Sequence, residues 1–291
     1  MSDPTTTKTP NTVPGSLAQV LVMMKYTFQD YLRSRRFAIL IVIILLVGGG
    51  LTVALAYFGI GSFTGGGTIS ASAASLGFYS GFWGFAPDVA ILAGIFFGGD
   101  AISGEFQNKT GYFMIPNPIR RSSVYVGKWL AAFIAGSIAF FLYTAFCLGN
   151  GLYYGFGVPT QFAESFAFAW FYLVAVLGFT FLFSSLFKSS AYSFLVTFLL
   201  FFLAFSIINV LVSNLAHIEP WFLLTYGADI ISNVLTVPYP PHTTSLARGG
   251  PATANLIMYN ATIPEGLAIM AVYFLVTAAL GLLLFERKEF N

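Results

Sequence analysis

DAISGEFQNKTGYFMIPNPIRRSSVYVGK, residues Asp100 to Lys128, is the longest polar break between two apolar runs before residue 212. It carries Lys109, Arg120, Arg121 and Lys128, four of the thirteen basic residues of the chain. Both flanking runs are long enough to cross a bilayer, so the stretch reads as a loop between two membrane spans. Short loops rich in Lys and Arg stay on the cytoplasmic side, which orients everything else.

The composition agrees with a membrane protein. Of 291 residues, 57% are hydrophobic and only 8% charged, and the mean hydropathy is +0.81. Soluble domains carry about 25% charged residues, so a water-soluble fold of this length is excluded. The fold class expected is all-α, with little room for a soluble domain. Cys147 is the single cysteine, which rules out an intramolecular disulfide, and its apolar setting makes it a small packing residue.

Along the chain, residues 1–16 are rich in Thr and Pro and read as a disordered tail, not as a secretory signal. Residues 17–36 read as an amphipathic helix lying in the cytoplasmic interface. Leu17, Val20, Leu21, Met24, Phe28, Tyr31 and Leu32 form one apolar stripe, and Arg33, Arg35 and Arg36 sit at headgroup depth. Residues 37–291 form a six-span domain, with spans at Phe37–Phe58, within Phe78–Gly99, at Trp129–Asn150, Ser165–Phe187, Ala191–Val212 and Gly266–Phe285. Lys188 to Ser190 is a three-residue hinge that forces the fourth and fifth spans to be antiparallel neighbours. The cytoplasmic loop is 100–128 and the large outer loop is 213–265. With both termini inside, twelve of the thirteen Lys and Arg fall on the cytoplasmic side and only Arg248 outside. Within the outer loop, Pro220 to Leu235 is an interrupted apolar run, expected as a helix pair on or in the outer leaflet. Asn260-Ala261-Thr262 is a glycosylation triplet on that side.

Catalytic motifs are weak. No GxxxxGK[ST] loop occurs, since Gly127-Lys128 is followed by Trp129, so no nucleotide site of that kind is present. Ser185 to Lys188 and Lys109 to Gly111 mimic fragments of a penicillin-binding site, but both lie in cytoplasmic turns without a catalytic domain. His217 and His242 lie in the outer loop with Glu219 and Asp229 nearby. They lack metal-ligand spacing, so no metal centre is expected. Gly77/Gly81 and Gly94/Gly98 are small-xxx-small pairs that let helices approach closely. Asp88 lies 12 residues before Asp100, about 18 Å along a helix. Either it faces a cavity or partner inside the membrane, or the helix is displaced outward and it marks the boundary.

The central loop resembles that of the permease subunit of type-2 ABC transporters, the mostly exporting class. The matching residues are Gly104-Glu105, Lys109-Thr110, Pro118-Ile119-Arg120-Arg121 and Gly127-Lys128. The sequence departs from the family at Lys109, where glycine usually precedes the threonine. The likeness extends to the interfacial helix, the six spans and a re-entrant outer segment before the last span. It implies that the loop forms a short coupling helix docked on a separate ABC ATPase. The coupling residues would be Gly104, Glu105, Thr110, Tyr112, Phe113, Met114 and Pro118, with Glu105 as polar anchor and Tyr112, Phe113 and Met114 as the apolar contact. Asp88 is the candidate pathway residue.

The function expected is an ATP-driven exporter subunit, working as a dimer with a second permease copy in the plasma membrane. The chain would have no catalytic role or cofactor of its own, ATP being hydrolysed by the partner. Membrane lipids are expected neighbours and nucleic acid is not. The 33 Phe and nearly chargeless spans favour a lipidic or amphiphilic cargo. Two other classes are a membrane-embedded enzyme or scaffold with its site in the outer loop, and a self-contained channel or carrier.

Overall fold

The computed structural model describes residues 15–59, 71–108, 120–246 and 256–288. It is an all-α membrane protein with six helices long and apolar enough to cross a bilayer. A leading helix, Ser16–Arg33, precedes them. Ser34 is extended and serves both helices: its hydroxyl donates to the Tyr31 carbonyl and accepts from the Phe37 amide, capping span 1. Span 1, Arg35–Phe58, ends at Gly59, whose φ of 79° only glycine adopts at little cost.

Span 2, Ser72–Gln107, is broken into Ala71–Trp83, Ala86–Gly98 and Ser103–Gln107. The first break follows from Pro87, which has no amide hydrogen and whose ring collides with the carbonyl one turn back. The Tyr143 hydroxyl donates to the Phe82 carbonyl at this break. Span 3 is Arg121–Tyr153 and span 4 is Thr160–Leu186. Span 5, Ser190–Ala216, relaxes into wider π turns at Leu200–Ala204 and Val212–Ala216. Span 6, Ile263–Arg287, opens on a Thr262/Glu265 capping box with Pro264 in its first turn. Span 3 starts two turns before the apolar run that marks it in the sequence, because hydropathy reports the lipid-facing length and not the helix start.

Six crossings put the starts of spans 1, 3 and 5 and the ends of spans 2, 4 and 6 at one end, here the base. Contacts confirm this: Arg36 pairs with Asp100, Arg121 donates to the Glu286 and Lys288 carbonyls, and Lys288 Nζ donates to the Ser185 and Phe187 carbonyls. The last two also satisfy the free carbonyls at the ends of spans 6 and 4. Span 4 is central and packs chiefly on span 6 and span 2. At Gly94 and Gly98 a methyl group would strike Val176 and Thr180, so the glycine pair sets the close approach of spans 2 and 4. Buried residues make up 67% of the apolar window of span 2 but 22% in span 1 and 17% in spans 5 and 6, which therefore form the outer wall.

The leading helix packs along span 3. Its docking face is small and polar: Gln19 and Thr27 are buried, with Val20 and Met23 beside them, and Ser16 bonds to Ser123. The neighbouring apolar face keeps Leu17, Leu21 and Leu32 exposed at 76%, 51% and 45%. Packing on the protein and contact with a lipid surface thus use different sides of one helix.

At the opposite end, the described residues 217–246 and 256–262 build a cap. Leu224–Ala228 and Ile230–Asn233 are two short helices, the pair expected from the sequence. They pack on spans 4 and 6, with Leu224, Tyr226, Ile230 and Ile231 buried and the Ser165 hydroxyl donating to the Ile231 carbonyl. Thr243–Leu246 and Leu256–Tyr259 add a two-stranded antiparallel hairpin in which Thr243 faces Tyr259.

Candidate functional site: a polar hub at the base

The last helical piece of span 2 is held by every other span. The chain leaves the helix at Gly98, turns through Gly99 to Ile102, and resumes as Ser103–Gln107, closed by the Gly104 amide on the Asp100 carbonyl at 2.8 Å. The amides of Ile102 and Ser103, which have no helical acceptor at this start, donate to Ser184 Oγ of span 4 at 2.9 and 3.0 Å. Gln107 Oε1 accepts from the Ser190 amide at 2.7 Å and so caps the start of span 5. Arg36, at the start of span 1, pairs with Asp100. Lys128 of span 3 donates to the Ala101 carbonyl at 2.7 Å and pairs with Glu105. Phe106 meets Phe285 of span 6 edge-on at 6.5 Å and lies under Lys288 Nζ at 4.4 Å.

The Lys128–Glu105 pair is the energetic centre of this hub. The two side chains are only 7% and 16% exposed. Removing one partner of a buried pair costs about 3–5 kcal/mol, because the other is left charged without compensation. Beside the pair, a polar cavity of about 300 Å³ opens between the leading helix and the hub, lined by Met23, Thr27, Asp30, Asp100, Glu105 and Lys128 among others. Tyr31 closes one wall, donating to the Phe97 carbonyl at 2.8 Å. Burial pushes its phenol well above the usual range, so it remains a neutral donor.

Gly104 and Glu105 of the expected coupling set lie in this hub. Thr110, Tyr112, Phe113, Met114 and Pro118, with Lys109, lie outside the described residues, as do most of the 1–16 tail and Arg248. Glu105 is turned inward on Lys128, and Arg36 of the first span goes to Asp100. Asp100, Arg36, Ser184 and Gln107 were not legible as members of the site. Each is ordinary where it stands, and its partner comes from another span.

Asp88 sits in the first turn of Ala86–Gly98, half-buried, with no hydrogen bond or ion pair among the described residues. A carboxylate there meets the positive end of the helix dipole, a physical reason for an acid deep in span 2. At the cap end, His217 adopts a left-handed backbone with φ 52° where span 5 stops. Asp229, half-buried between the two short helices of the cap, has its carboxyl pushed up to about 7 by desolvation.

A family model for ABC-2 family transporter proteins matches residues 21–290, nearly the whole chain. No curated protein matches it. With six spans, no phosphate-binding loop and a base hub contacting all of them, the match fixes the assignment: this chain belongs to the ABC-2 transporter family, as the membrane-embedded permease subunit of an ABC transporter, and that family implies an ABC ATPase as its partner.

Proposed function

We propose that Ser103 to Pro118 is the coupling element on which the separate ATPase pushes, and that the chain is an exporter permease working as a homodimer on a lipidic or amphiphilic cargo. The observation that carries this reading is the wiring of residues 100–107 to the other five spans. A displacement of that short helix moves the bases of spans 1, 3, 4, 5 and 6 together. Closure of two ATPases would thereby reach the whole bundle. The basic residues gathered at the base support a cytoplasmic placement of that end and of both termini in the plasma membrane. The exposed apolar walls of spans 1, 5 and 6 are available to lipid and to a second copy. Asp88, half-buried at a helix break, is the residue on which cargo would act.

Glu105 holds Lys128, so replacing it disturbs folding as well as coupling. The decisive variants are therefore Phe113→Ala and Met114→Ala. Purified with the ATPase in liposomes, both should insert normally yet lose ATPase on co-elution or hydrolyse ATP without moving a fluorescent phospholipid analogue. Retention of the ATPase and wild-type lipid movement in both variants would overturn the coupling assignment.

A further inference from the structure

At the cap end, three ligand-type side chains from three segments converge. Glu219 follows span 5, His242 precedes the hairpin, and Glu265 lies in the first turn of span 6. One ligand atom from each falls within 4.8 Å of the other two. Successive members stand 23 residues apart in the chain, which no short metal motif would reveal.

The hydrogen bonds around the trio define its donor chemistry. His242 Nδ1 lies 3.1 Å from the Asn260 carbonyl, and Nε2 lies 3.2 Å from Glu219 Oε2. A carbonyl only accepts, so Nδ1 carries the hydrogen, and in its neutral form the ring presents a lone pair at Nε2. That lone pair faces a carboxylate oxygen, a contact relieved by a cation or by a proton between them. The other atoms of the trio are fixed from behind. Tyr226 donates to Glu219 Oε1 at 2.5 Å, and Glu265 Oε2 accepts from the Thr262 amide at 3.2 Å and its hydroxyl at 3.4 Å. Outer bonds of this kind, a backbone carbonyl on the far nitrogen of a histidine above all, orient metal ligands. His242 and Glu219 are 46% and 26% exposed, so an ion has an entry path from solvent.

We propose that Glu219, His242 and Glu265 bind one divalent transition-metal cation, zinc by ligand class, with water completing the coordination. An imidazole with two carboxylates suits zinc and its neighbours, whereas calcium and magnesium take oxygen ligands alone. The ion would staple the start of the cap, the segment entering the hairpin and the first turn of span 6 to one another. Nothing in this depends on which side of the membrane the cap faces, or on the coupling assignment.

The test is zinc titration by calorimetry of the full chain in lipid nanodiscs, stripped with chelator and freed of any affinity tag. The expected result is one zinc per chain, with calcium unable to compete at equal concentration. His242→Ala and Glu265→Gln should each abolish saturable binding. Tyr226→Phe, which touches only the orientation of Glu219, should weaken it roughly tenfold to a hundredfold. Glu265→Gln keeps an acceptor for Thr262. Unfolding temperatures of both ligand variants should therefore match wild type in chelator, while zinc raises that of wild type alone. Absence of saturable zinc binding to the wild type, or equal affinity in His242→Ala and Glu265→Gln, would overturn the site.

Discussion

Gly127 is where the leading helix rests on span 3, and a single methyl group there tests whether that seat matters. A Cβ at Gly127 would lie 2.8 Å from Met23 Cβ and 2.9 Å from the Val20 carbonyl oxygen. Neither atom can rotate away, because one is fixed to the backbone and the other belongs to it. Ordinary contact begins near 3.4 Å, so the leading helix must move out by about 0.6 Å. That shift stretches the Ser16–Ser123 bond from 3.1 Å and the Arg120–Gln19 bond from 3.2 Å beyond hydrogen-bonding range. Overpacking costs about 1–3 kcal/mol and each bond lost about 0.5–1.5 kcal/mol. Alanine returns about 1 kcal/mol through its better helix propensity. Gly127→Ala should therefore lower stability by about 1–5 kcal/mol. Gly149→Ala is the control, since it lies in the same helix with nothing within 4 Å, and it should be neutral or stabilising. Unfolding followed by tryptophan fluorescence measures the difference, and hydrogen exchange over residues 16–33 should rise in Gly127→Ala alone. Equal stability of the two variants, with unchanged exchange, would refute the proposed seat.

Asp88→Asn should change stability by less than about 1 kcal/mol, the scale of a charge at a helix start, yet alter cargo-stimulated ATP hydrolysis several-fold. An unchanged rate at normal expression would leave Asp88 a helix-start charge and nothing more. For orientation, Ser122→Cys and Ser245→Cys in a Cys147→Ser background should label oppositely with an impermeant maleimide. Ser245→Cys should react on intact cells and Ser122→Cys only after lysis, whereas reaction of both from outside would invert the topology.

Much of this fold is legible in the sequence because hydropathy is a strong signal over twenty residues. The six spans, the leading helix and the short outer helix pair all follow from it. The break in span 2 is announced by Pro87, and Gly94 with Gly98 announce the tight crossing on span 4. The docking face of the leading helix was not legible, because Ser16, Gln19 and Thr27 look like the solvent side of an amphipathic helix. They pack on small residues of span 3, while Leu17, Leu21 and Leu32 of the apolar stripe are left outside and Phe28 and Tyr31 pack against the core. Charge pairing was hidden for a similar reason. The many cations and several acids near the base allow many partners, and only the fold joins Arg36 to Asp100 and Lys128 to Glu105. The Glu219, His242 and Glu265 cluster escaped for lack of local spacing, since each ligand comes from a different segment.

The most direct test of the central claim is a photo-cross-linker placed at Phe113, with the chain co-expressed beside its ABC ATPase. Met258, exposed at the cap end, is the matched control position. An ATPase adduct at residue 113, absent at residue 258, is the predicted result. No adduct at 113, or an adduct at 258, would contradict the account.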